Sequence, residues 1–275
     1  MPELPEVETI RRQLQKELVG AKILAVKVIN GKKINVGARE FVRLLKGTKV
    51  IGVSRRAKML LINFGNGWTA VIHLIMTGRL LIKSASQEVG SHTFVIFSLN
   101  TGKKLFWEDI RTFGYLKLIK TNKLEDFFRN QGIGPEPLQA SFTPKTLAAC
   151  LRRFPKKLVK PLLLEQRCVA GIGNIYAAEI LSYAGVHPKR RAGELPDAKI
   201  NKIHAGMKKI LNEAILRRGS STDNYVDAYG NSGEFVPRLK VYGKEGEKCL
   251  YCKKGIIKKF SLAGRGTYFC PTHQK

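Results

Sequence analysis

The chain opens with MPELPEVETIRRQL, residues 1–14, a stretch that predicts a helix with a reactive terminus ahead of it. Pro5 stands in what would be the first helical turn, where proline is favoured. Glu6 and Glu8 suit the positive end of the helix dipole. Apolar side chains recur on one face, at Val7, Ile10 and Leu14. We therefore predict that this helix anchors the terminus to the domain that follows.

The terminus itself reads Met1-Pro2-Glu3. Proline is small enough to permit removal of Met1, which would leave a secondary amine beside the Glu3 carboxylate. An α-amine has a pKa of about 8, so much of it is an unprotonated nucleophile near neutral pH. A proline in the second position is common, so the remainder of the chain has to decide whether this amine is catalytic.

The charge balance indicates a polyanionic partner. The 275 residues include 49 Lys and Arg against 21 acidic residues, giving a net charge of +28. No apolar run approaches the roughly 20 residues of a membrane span, and we expect neither a signal peptide nor a membrane. The basic residues are scattered through folded-looking sequence, which favours a nucleic-acid-binding surface on a globular body. A generally basic surface without a specific partner remains the alternative.

Five cysteines, an odd number, argue against a disulfide scaffold and for a cytoplasmic protein. Two ligand pairs stand near the end of the chain, each with two residues between its members: Cys249 with Cys252, and Cys270 with His273. Two such turns can close a tetrahedron around one metal ion. The sequence predicts one structural zinc ion held by three thiolates and one imidazole.

Short apolar runs separated by glycine turns predict an antiparallel sandwich or barrel over the first half of the chain. The predicted strands are 22–29, 50–53, 59–64, 68–74, 78–82, 93–99, 104–107 and 115–119. The stretch 132–137 contains two glycines and two prolines, and marks a domain boundary. Helices are predicted beyond it at 143–153, 158–166, 174–184 and 197–218, followed by a polar loop at 219–233 and a β-like tail.

Several residues in turns are typical of contacts to DNA. Asn174 follows the Gly171-Ile-Gly173 turn at a predicted helix start, where backbone N–H groups can approach a phosphate. Arg265 lies between two glycines, and Lys58 lies on a hairpin, so both cations could reach phosphates. Apolar and cationic side chains at loop tips can enter a base stack. The candidates for this role are Met76, Arg111 and Phe113.

In their order and spacing, these motifs resemble those of the bacterial formamidopyrimidine-DNA glycosylases over nearly the whole chain. The motifs are PELPE at 2–6, HLIMTGR at 73–79, IRTFG at 110–114, GIGPEPL at 132–138, KP at 160–161, GIGNIYAAE at 171–179, VHP at 186–188, GSSTDNYVDAYGNSGEF at 219–235, VYGKEG at 241–246 and the cysteine finger.

The resemblance implies a role for each matching residue. Pro2 would be the nucleophile that attacks the sugar carbon and forms an imine, Glu3 the acid/base, and Glu6 a supporting carboxylate. The implied phosphate clamp consists of Lys58, His73, Asn174 and Arg265, of which Lys58 and Arg265 are also assigned to catalysis. Met76, Arg111 and Phe113 would fill the vacated stack and contact the orphan base. Lys160 and Glu179 match further DNA-binding positions. The implied lesion loop includes Ser220, Ser221, Thr222 and Tyr225.

The fold that the resemblance implies is α+β. It consists of a two-layer antiparallel β-sandwich with flanking helices at 1–131, a linker at 132–145, a helix-two-turn-helix domain with the lesion loop at 146–240, and a zinc-finger hairpin at 241–275. The implied function is a bifunctional glycosylase and lyase, active as a monomer, that removes oxidised purines such as 8-oxoguanine and formamidopyrimidines. Its implied partner is duplex DNA with cytosine opposite the lesion.

Three residues depart from the family pattern. Ile75 replaces the usual glycine before Met76, so we expect a stiffer loop there. Thr112 replaces a second arginine, with the expected loss of one phosphate contact. His273 replaces the fourth cysteine.

Three rival functions remain: an endonuclease VIII-type enzyme for oxidised pyrimidines, against which Leu4 argues; a non-catalytic damaged-DNA-binding protein; and a basic zinc-ribbon protein of the ribosome.

Overall fold

The chain forms two compact units in its computed structural model, which describes residues 1–222 and 224–275. The N-terminal unit comprises Met1–Asn130 and Arg217–Glu234, and the C-terminal unit comprises Gln131–Leu216 and Phe235–Lys275. The sequence predicts the loop at 219–233 as part of a helical domain, whereas the structure groups it with the N-terminal unit. The reason is its backbone pairing: the N–H of Ile82 donates to the carbonyl of Ala228 at 2.8 Å.

Eight strands build the N-terminal unit: β1 Ile23–Val28, β2 Val50–Arg56, β3 Met59–Phe64, β4 Trp68–His73, β5 Gly78–Ser84, β6 Thr93–Leu99, β7 Lys103–Asp109 and β8 Tyr115–Lys120. They form two four-stranded antiparallel sheets, with the orders β1-β6-β7-β5 and β2-β3-β4-β8. Strands of both sheets contribute to one hydrophobic core. The α+β class with a two-layer antiparallel sandwich is confirmed.

Glycine turns set the hairpins of these sheets. Gly67 follows β3 with φ +81°, and Gly102 follows β6 with φ +78°, a left-handed conformation that other residues adopt only under strain. Both turns join neighbouring strands within one sheet. The short apolar runs between the turns therefore pair as the sequence predicts.

Three helices accompany the sheets: α1 Leu4–Leu18, α2 Ala38–Leu45 and α3 Leu124–Asn130. The predicted apolar face of α1 lies in the core, and Val7, Ile10 and Leu14 are at most 1% exposed. Helix α3 was not expected, because its seven residues are too few to establish a periodic pattern, although Leu124, Phe127 and Phe128 stand at i, i+3 and i+4. It is the last element of Met1–Asn130, the first of the two segments that make up the N-terminal unit.

Four helices build the C-terminal unit: α4 Pro144–Arg153, α5 Val159–Leu164, α6 Asn174–Ala184 and α7 Asp197–Leu216. Thr143 caps α4 by accepting a hydrogen bond from the Thr146 N–H at 3.2 Å. The antiparallel hairpin of β9 Lys258–Leu262 and β10 Arg265–Phe269 completes the unit. Across residues 1–222 and 224–275, none of the helices has both the length and the apolar content needed to cross a membrane.

A disulfide joins Cys150, near the end of α4, to Cys168, in the segment that precedes α6. The sequence argues against a disulfide scaffold and does not predict this single pair. A count of cysteines cannot reveal that these two residues, 18 positions apart, are brought to a Cα–Cα distance of 5.4 Å by helix packing. The bond fixes the α5–α6 connection, which leads to Asn174.

We expect reduction of this disulfide to lower the free energy of unfolding of the C-terminal unit by about 3 kcal/mol, since a crosslink of this loop length restricts the unfolded chain. Urea unfolding with and without dithiothreitol measures the change. Cys150→Ser is the matched variant, because it should unfold like the reduced wild type and should not respond to the reductant. Free thiols at both positions in the purified oxidised protein would contradict the assignment.

Candidate functional site

The Glu6 carboxylate links the predicted N-terminal catalytic pair, Pro2 and Glu3, to the predicted lesion loop. Its Oε2 accepts a hydrogen bond from the Glu3 N–H at 2.8 Å, and its Oε1 accepts one from the Ser220 N–H at 2.7 Å. Pro2 is buried, and Glu3 and Glu6 are at most 2% exposed. The structure thus brings residues 3, 6 and 220 together, across 214 positions of sequence.

Gly219 permits this contact. Its φ is +82°, and a Cβ at this position would come within 2.7 Å of Glu6 Oε1. A side chain here would therefore displace the carboxylate that holds the start of the loop. The glycine is required both by backbone conformation and by the close approach of Glu6.

Several of the described residues of the loop at 219–233 are held by hydrogen bonds. Ser221 Oγ donates to the Tyr225 carbonyl at 2.8 Å and accepts from the Gly233 N–H at 2.8 Å. The Tyr225 hydroxyl donates to the Arg218 carbonyl at 3.1 Å. Burial, together with the nearby Glu6 carboxylate, raises the pKa of Tyr225, so the hydroxyl remains a donor. Thr222 is exposed, and Asp223 lies outside the described residues.

Two residues of this anchor were missed by the sequence analysis. The buried Asp227 carboxylate accepts from Gln13 Nε2 at 2.9 Å, and Gln13 Oε1 accepts from the Ala228 N–H at 2.9 Å. This exchange fixes the second half of the loop to α1. A half-buried glutamine on a helix carries no sequence signal for a partner more than 200 residues away.

Lys58 lies in the turn between β2 and β3, and His73 is the last residue of β4. Met59, the residue after Lys58, pairs directly with His73. Burial, and to a lesser extent the charge of Lys58, together lower the pKa of His73 to about 4. The imidazole is therefore neutral at pH 7. Its Nδ1 accepts from the Ile75 N–H at 3.0 Å, which leaves the proton on Nε2 as a donor for an anion.

Met76, Arg111 and Phe113 lie in two connections between the sheets. Phe113 is 49% exposed, and the Arg111 guanidinium lies 5.0 Å from the centre of its ring. The exposed ring and the cation thus form one stacked pair, whose flat faces suit contact with bases.

The two departures from the family pattern in these connections both adopt left-handed backbone. Ile75 has φ +51° and Thr112 has φ +57°. A β-branched residue in this region is strained by about 1–2 kcal/mol. The sequence predicts a stiffer loop at Ile75, and the structure shows a strained backbone both there and at Thr112.

We expect Thr112→Gly to raise the free energy of unfolding of the N-terminal unit by about 0.5–1 kcal/mol, because relief of strain exceeds the entropy that glycine adds to the unfolded chain. Thr112 is exposed, so little packing is lost. The matched control is Thr101→Gly, an exposed turn threonine without a left-handed backbone, which should destabilise. Urea unfolding distinguishes the two, and destabilisation by both would contradict the strain at position 112.

In the C-terminal unit, the fully buried Lys160 ammonium organises the predicted phosphate contacts. Its Nζ donates to Asn174 Oδ1 at 2.6 Å and to Thr267 Oγ1 at 2.8 Å. Asn174 Nδ2 donates to the Gly266 carbonyl at 3.0 Å. These bonds tie the first residue of α6 to the hairpin, beside the exposed Arg265. Sequence reasoning missed Thr267, whose partner Lys160 is 107 positions away.

Glu179 has an internal role in the structure. Its carboxylate accepts hydrogen bonds from the backbone N–H groups of three consecutive residues, Lys240, Val241 and Tyr242. The side chain is buried, and burial raises its pKa against the lowering effect of these donors. The prediction groups Glu179 with the DNA-binding residues, whereas its carboxylate holds the chain entering the cysteine finger.

Three of the four predicted metal ligands come together. The sulfur atoms of Cys249, Cys252 and Cys270 all lie within 4.8 Å of one another. Backbone N–H groups, led by that of Gly255, lower the pKa of Cys252 to about 7, which favours the thiolate that a metal requires. This donor set fits a zinc ion with three thiolate ligands.

His273 does not join this group. Its Nε2 lies 2.8 Å from the Ser182 carbonyl oxygen, and its ring stacks on Tyr251 with a centroid distance of 4.9 Å. The predicted tetrahedral set is thus incomplete in this arrangement, because the carbonyl holds the imidazole away from the sulfur atoms. A carbonyl only accepts, so Nε2 carries a proton and Nδ1 is the nitrogen available to a metal.

Family models match most of the chain. The model of the formamidopyrimidine-DNA glycosylase N-terminal domain matches residues 1–116, and that of the formamidopyrimidine-DNA glycosylase H2TH domain matches residues 133–225.

Full-length relatives share about two fifths of the sequence. The chain is 41% identical to the formamidopyrimidine-DNA glycosylase of Pelotomaculum thermopropionicum, with 100% of this chain and 99% of the relative covered. It is 42% identical to that of Carboxydothermus hydrogenoformans, with 100% of both covered.

Solved structures agree. A complex between a mutant Lactococcus lactis Fpg and a Fapy-dG containing DNA matches with a TM-score of 0.94 and 37% identity, covering 100% of both chains. A complex of the Lactococcus lactis Fpg with an abasic site containing DNA matches with a TM-score of 0.93 and 37% identity, covering 99% of both chains.

Proposed function

The chain belongs to the family of formamidopyrimidine-DNA glycosylases, and on that premise we propose that it is a bifunctional base-excision-repair enzyme. It removes oxidised purines, 8-oxoguanine and formamidopyrimidines, from duplex DNA, and then cleaves the strand at the abasic site. The DNA glycosylase activity follows from the family, and relatives of this chain have been captured on lesion-containing and abasic DNA. The lyase step and the choice of lesion rest on the site residues.

The chemistry begins at the amine of Pro2, freed by removal of Met1. Its lone pair attacks C1′ of the damaged nucleotide while the bond from C1′ to the base breaks, and the base leaves with that electron pair. Glu3 protonates the ring oxygen of the sugar, which opens, and loss of the amine proton gives an iminium ion. The amine is suited to this step because, unlike a lysine, it is largely unprotonated near neutral pH.

Strand scission follows from the iminium ion, which acidifies the proton on C2′. Loss of that proton breaks the C3′–O bond and releases one phosphate. A second elimination breaks the C5′–O bond, and water then hydrolyses the imine and frees Pro2. Glu3 supplies the required acid/base group with its carboxylate. The backbone N–H of Glu3 is held by the Glu6 carboxylate.

Phosphate contacts supply most of the binding. On the N-terminal unit, Lys58 and the Nε2–H of neutral His73 act as donors. On the C-terminal unit, Asn174 and Arg265 take this role, with Lys160 positioning them. The net charge of +28 suits this interaction. Affinity for DNA should fall with salt, with a log–log slope of about −0.9 per contacted phosphate.

A base has to leave the helix before it can reach the amine, so insertion into the stack is part of the function. Met76 and Phe113 fill the vacated space, and Arg111 contacts the orphan base. Guanidinium donors match the O2 and N3 acceptors of cytosine, which supports a preference for lesions opposite cytosine. The extruded base is enclosed by the loop at 219–233, with Ser220, Ser221, Thr222 and Tyr225.

Cys249, Cys252 and Cys270 would hold one zinc ion at the hairpin, and His273 would supply the fourth ligand. Bound zinc contributes folding free energy to the hairpin and so keeps Arg265 in place. We further propose that the enzyme acts in the cytoplasm as a monomer, because the two units carry both the catalytic and the DNA-binding residues.

The observation that carries this function is the double hydrogen bond of Glu6, which joins the backbone of the N-terminal pair to the start of the lesion loop. Borohydride trapping on a panel of duplexes tests it. We expect demethionylated protein to form a covalent adduct with 8-oxoguanine and formamidopyrimidine opposite cytosine, and none with undamaged DNA. No adduct with any lesion would refute the catalytic claim, and an adduct with oxidised pyrimidines alone would indicate the endonuclease VIII-type function.

A further inference from the structure

Two loops of the N-terminal unit carry all three stack-filling residues. Loop A, Leu74–Gly78, joins β4 to β5 and contains Met76, and loop B, Ile110–Gly114, joins β7 to β8 and contains Arg111 and Phe113. Each loop crosses from one sheet to the other. Strand β4 pairs with β8, and β5 pairs with β7, so the two crossings run side by side.

The carboxylate of Asp109 connects these loops. Asp109 is 1% exposed, and its Oδ1 accepts a hydrogen bond from Thr77 Oγ1 in loop A at 2.6 Å. Its Oδ2 accepts from the Gly114 N–H in loop B at 2.7 Å. The Arg111 N–H donates to Thr77 Oγ1 at 2.9 Å and reaches Asp109 Oδ1 at 3.3 Å. One side chain thus binds the backbone or hydroxyl groups of both loops.

Glycine at position 114 makes room for this arrangement. A Cβ there would come within 2.9 Å of Asp109 Oδ2 and 3.0 Å of the His73 carbonyl. The carboxylate therefore approaches the end of loop B more closely than any side chain would allow. Hydrogen bonds to a buried carboxylate are charge-assisted and stronger than those between neutral groups.

The backbone of each loop shows the same constraint. Ile75 in loop A and Thr112 in loop B both hold left-handed φ angles. Non-glycine residues keep such conformations only where contacts with the surrounding structure hold the backbone in place. In loop B, the bonds of Asp109 and Thr77 hold Arg111 and Gly114, on either side of Thr112; in loop A, the Ile75 N–H is held by His73 Nδ1 and Thr77 by Asp109.

We propose that Asp109 is a positioning residue that locks loops A and B into one rigid wedge. Met76 from one loop then enters the base stack together with Arg111 and Phe113 from the other. This inference rests on the proposed function, since it assigns a role in base extrusion and none in the chemistry. A pre-ordered wedge matters because unstacking a base is costly, and loops that still had to be ordered would add to that barrier.

The test compares the wild type with Asp109→Asn on two substrates. The substitution keeps the size of the side chain but loses one acceptor oxygen and the charge. The first substrate is a duplex with 8-oxoguanine opposite cytosine and 2-aminopurine beside the cytosine. Its fluorescence rise reports opening of the stack. The second carries an abasic site opposite a one-nucleotide gap, so no orphan base or intact stack has to be displaced.

We expect Asp109→Asn to slow the fluorescence rise about 10- to 100-fold, the range for lost charge-assisted hydrogen bonds. Cleavage of the gapped substrate should stay within about twofold of wild type. Thr77→Val removes the hydroxyl that joins loop A to Asp109 and to the Arg111 N–H, and it should slow opening in the same direction. Asp126→Asn, the same change at an exposed residue of α3, is the matched control and should behave as wild type on both substrates.

Equal slowing on both substrates would overturn the proposal, and so would wild-type rates on both. If Asp109→Asn fails to fold, Thr77→Val decides the question by the same two rates. Failure of the proposed function gives a different result, because the wild type itself would then cleave neither substrate.

Discussion

Pro2→Leu is expected to abolish the covalent adduct and to reduce strand cleavage by roughly three orders of magnitude or more. A leucine at the second position blocks removal of Met1, so the amine moves one residue away from the Glu3 carboxylate. The nucleophile would then be a methionine amine in the wrong place, and Pro2, the attacking group, would be gone. Borohydride trapping and single-turnover cleavage of an 8-oxoguanine duplex measure the loss.

Pro2→Ala is the matched variant for this experiment. Alanine permits removal of Met1, so a primary amine stands at the position of the secondary amine, and we expect a trapped adduct to remain. Both variants should bind a duplex with a stable abasic-site analogue as the wild type does, because phosphate contacts dominate affinity. Equal adduct formation by Pro2→Leu and wild type would show that another group is the nucleophile.

Loss of the metal site is expected to have the second-largest effect. Cys270 is fully buried, and its sulfur lies 3.8 Å from that of Cys252, so Cys270→Ser removes a central ligand. We expect the variant to lose bound zinc and to bind lesion DNA at least about 100-fold more weakly, since the hairpin that carries Arg265 depends on the metal for its folding. Elemental analysis and a binding titration measure the two losses.

Cys150→Ser provides the control, because this cysteine belongs to the disulfide, so zinc content should stay at one ion per chain. His273→Ala tests the fourth ligand separately. We expect about a 10- to 100-fold loss of zinc affinity, because the variant lacks the imidazole that is proposed as the fourth ligand. Unchanged zinc content and DNA affinity in His273→Ala would show that the fourth ligand is another group.

The local sequence predicted most elements. The spacing of apolar residues from Val7 to Leu14 predicted α1, and glycine turns predicted the hairpins. Thr143-Pro144 predicted the start of α4. These signals work because the residues that cap a helix or permit a turn act within a few positions of one another. Helix α3 was missed, since its seven residues are too few to establish a periodic pattern.

Motif order indicated the site residues, although not their partners. Cys249, Cys252 and Cys270 assemble as their spacing predicts, because two short turns bring the pairs together. His273 follows the same spacing and yet contacts Ser182, since the helix that carries this carbonyl decides where the ring lies. Spacing fixes which residues are near a metal site, and packing fixes which atoms point into it.

By itself, the sequence predicted the strands of the N-terminal unit, the helices of the C-terminal unit and the three cysteines that come together in the finger. Only the tertiary structure decided how distant residues meet: Glu6 with Ser220, Lys160 with Thr267, and Asp109 with both wedge loops. It also revealed the disulfide between Cys150 and Cys168 and the left-handed backbone at Ile75 and Thr112. Backbone preferences are local, whereas a buried charge or polar group is satisfied by whichever donor the packed fold brings to it, however far away in sequence.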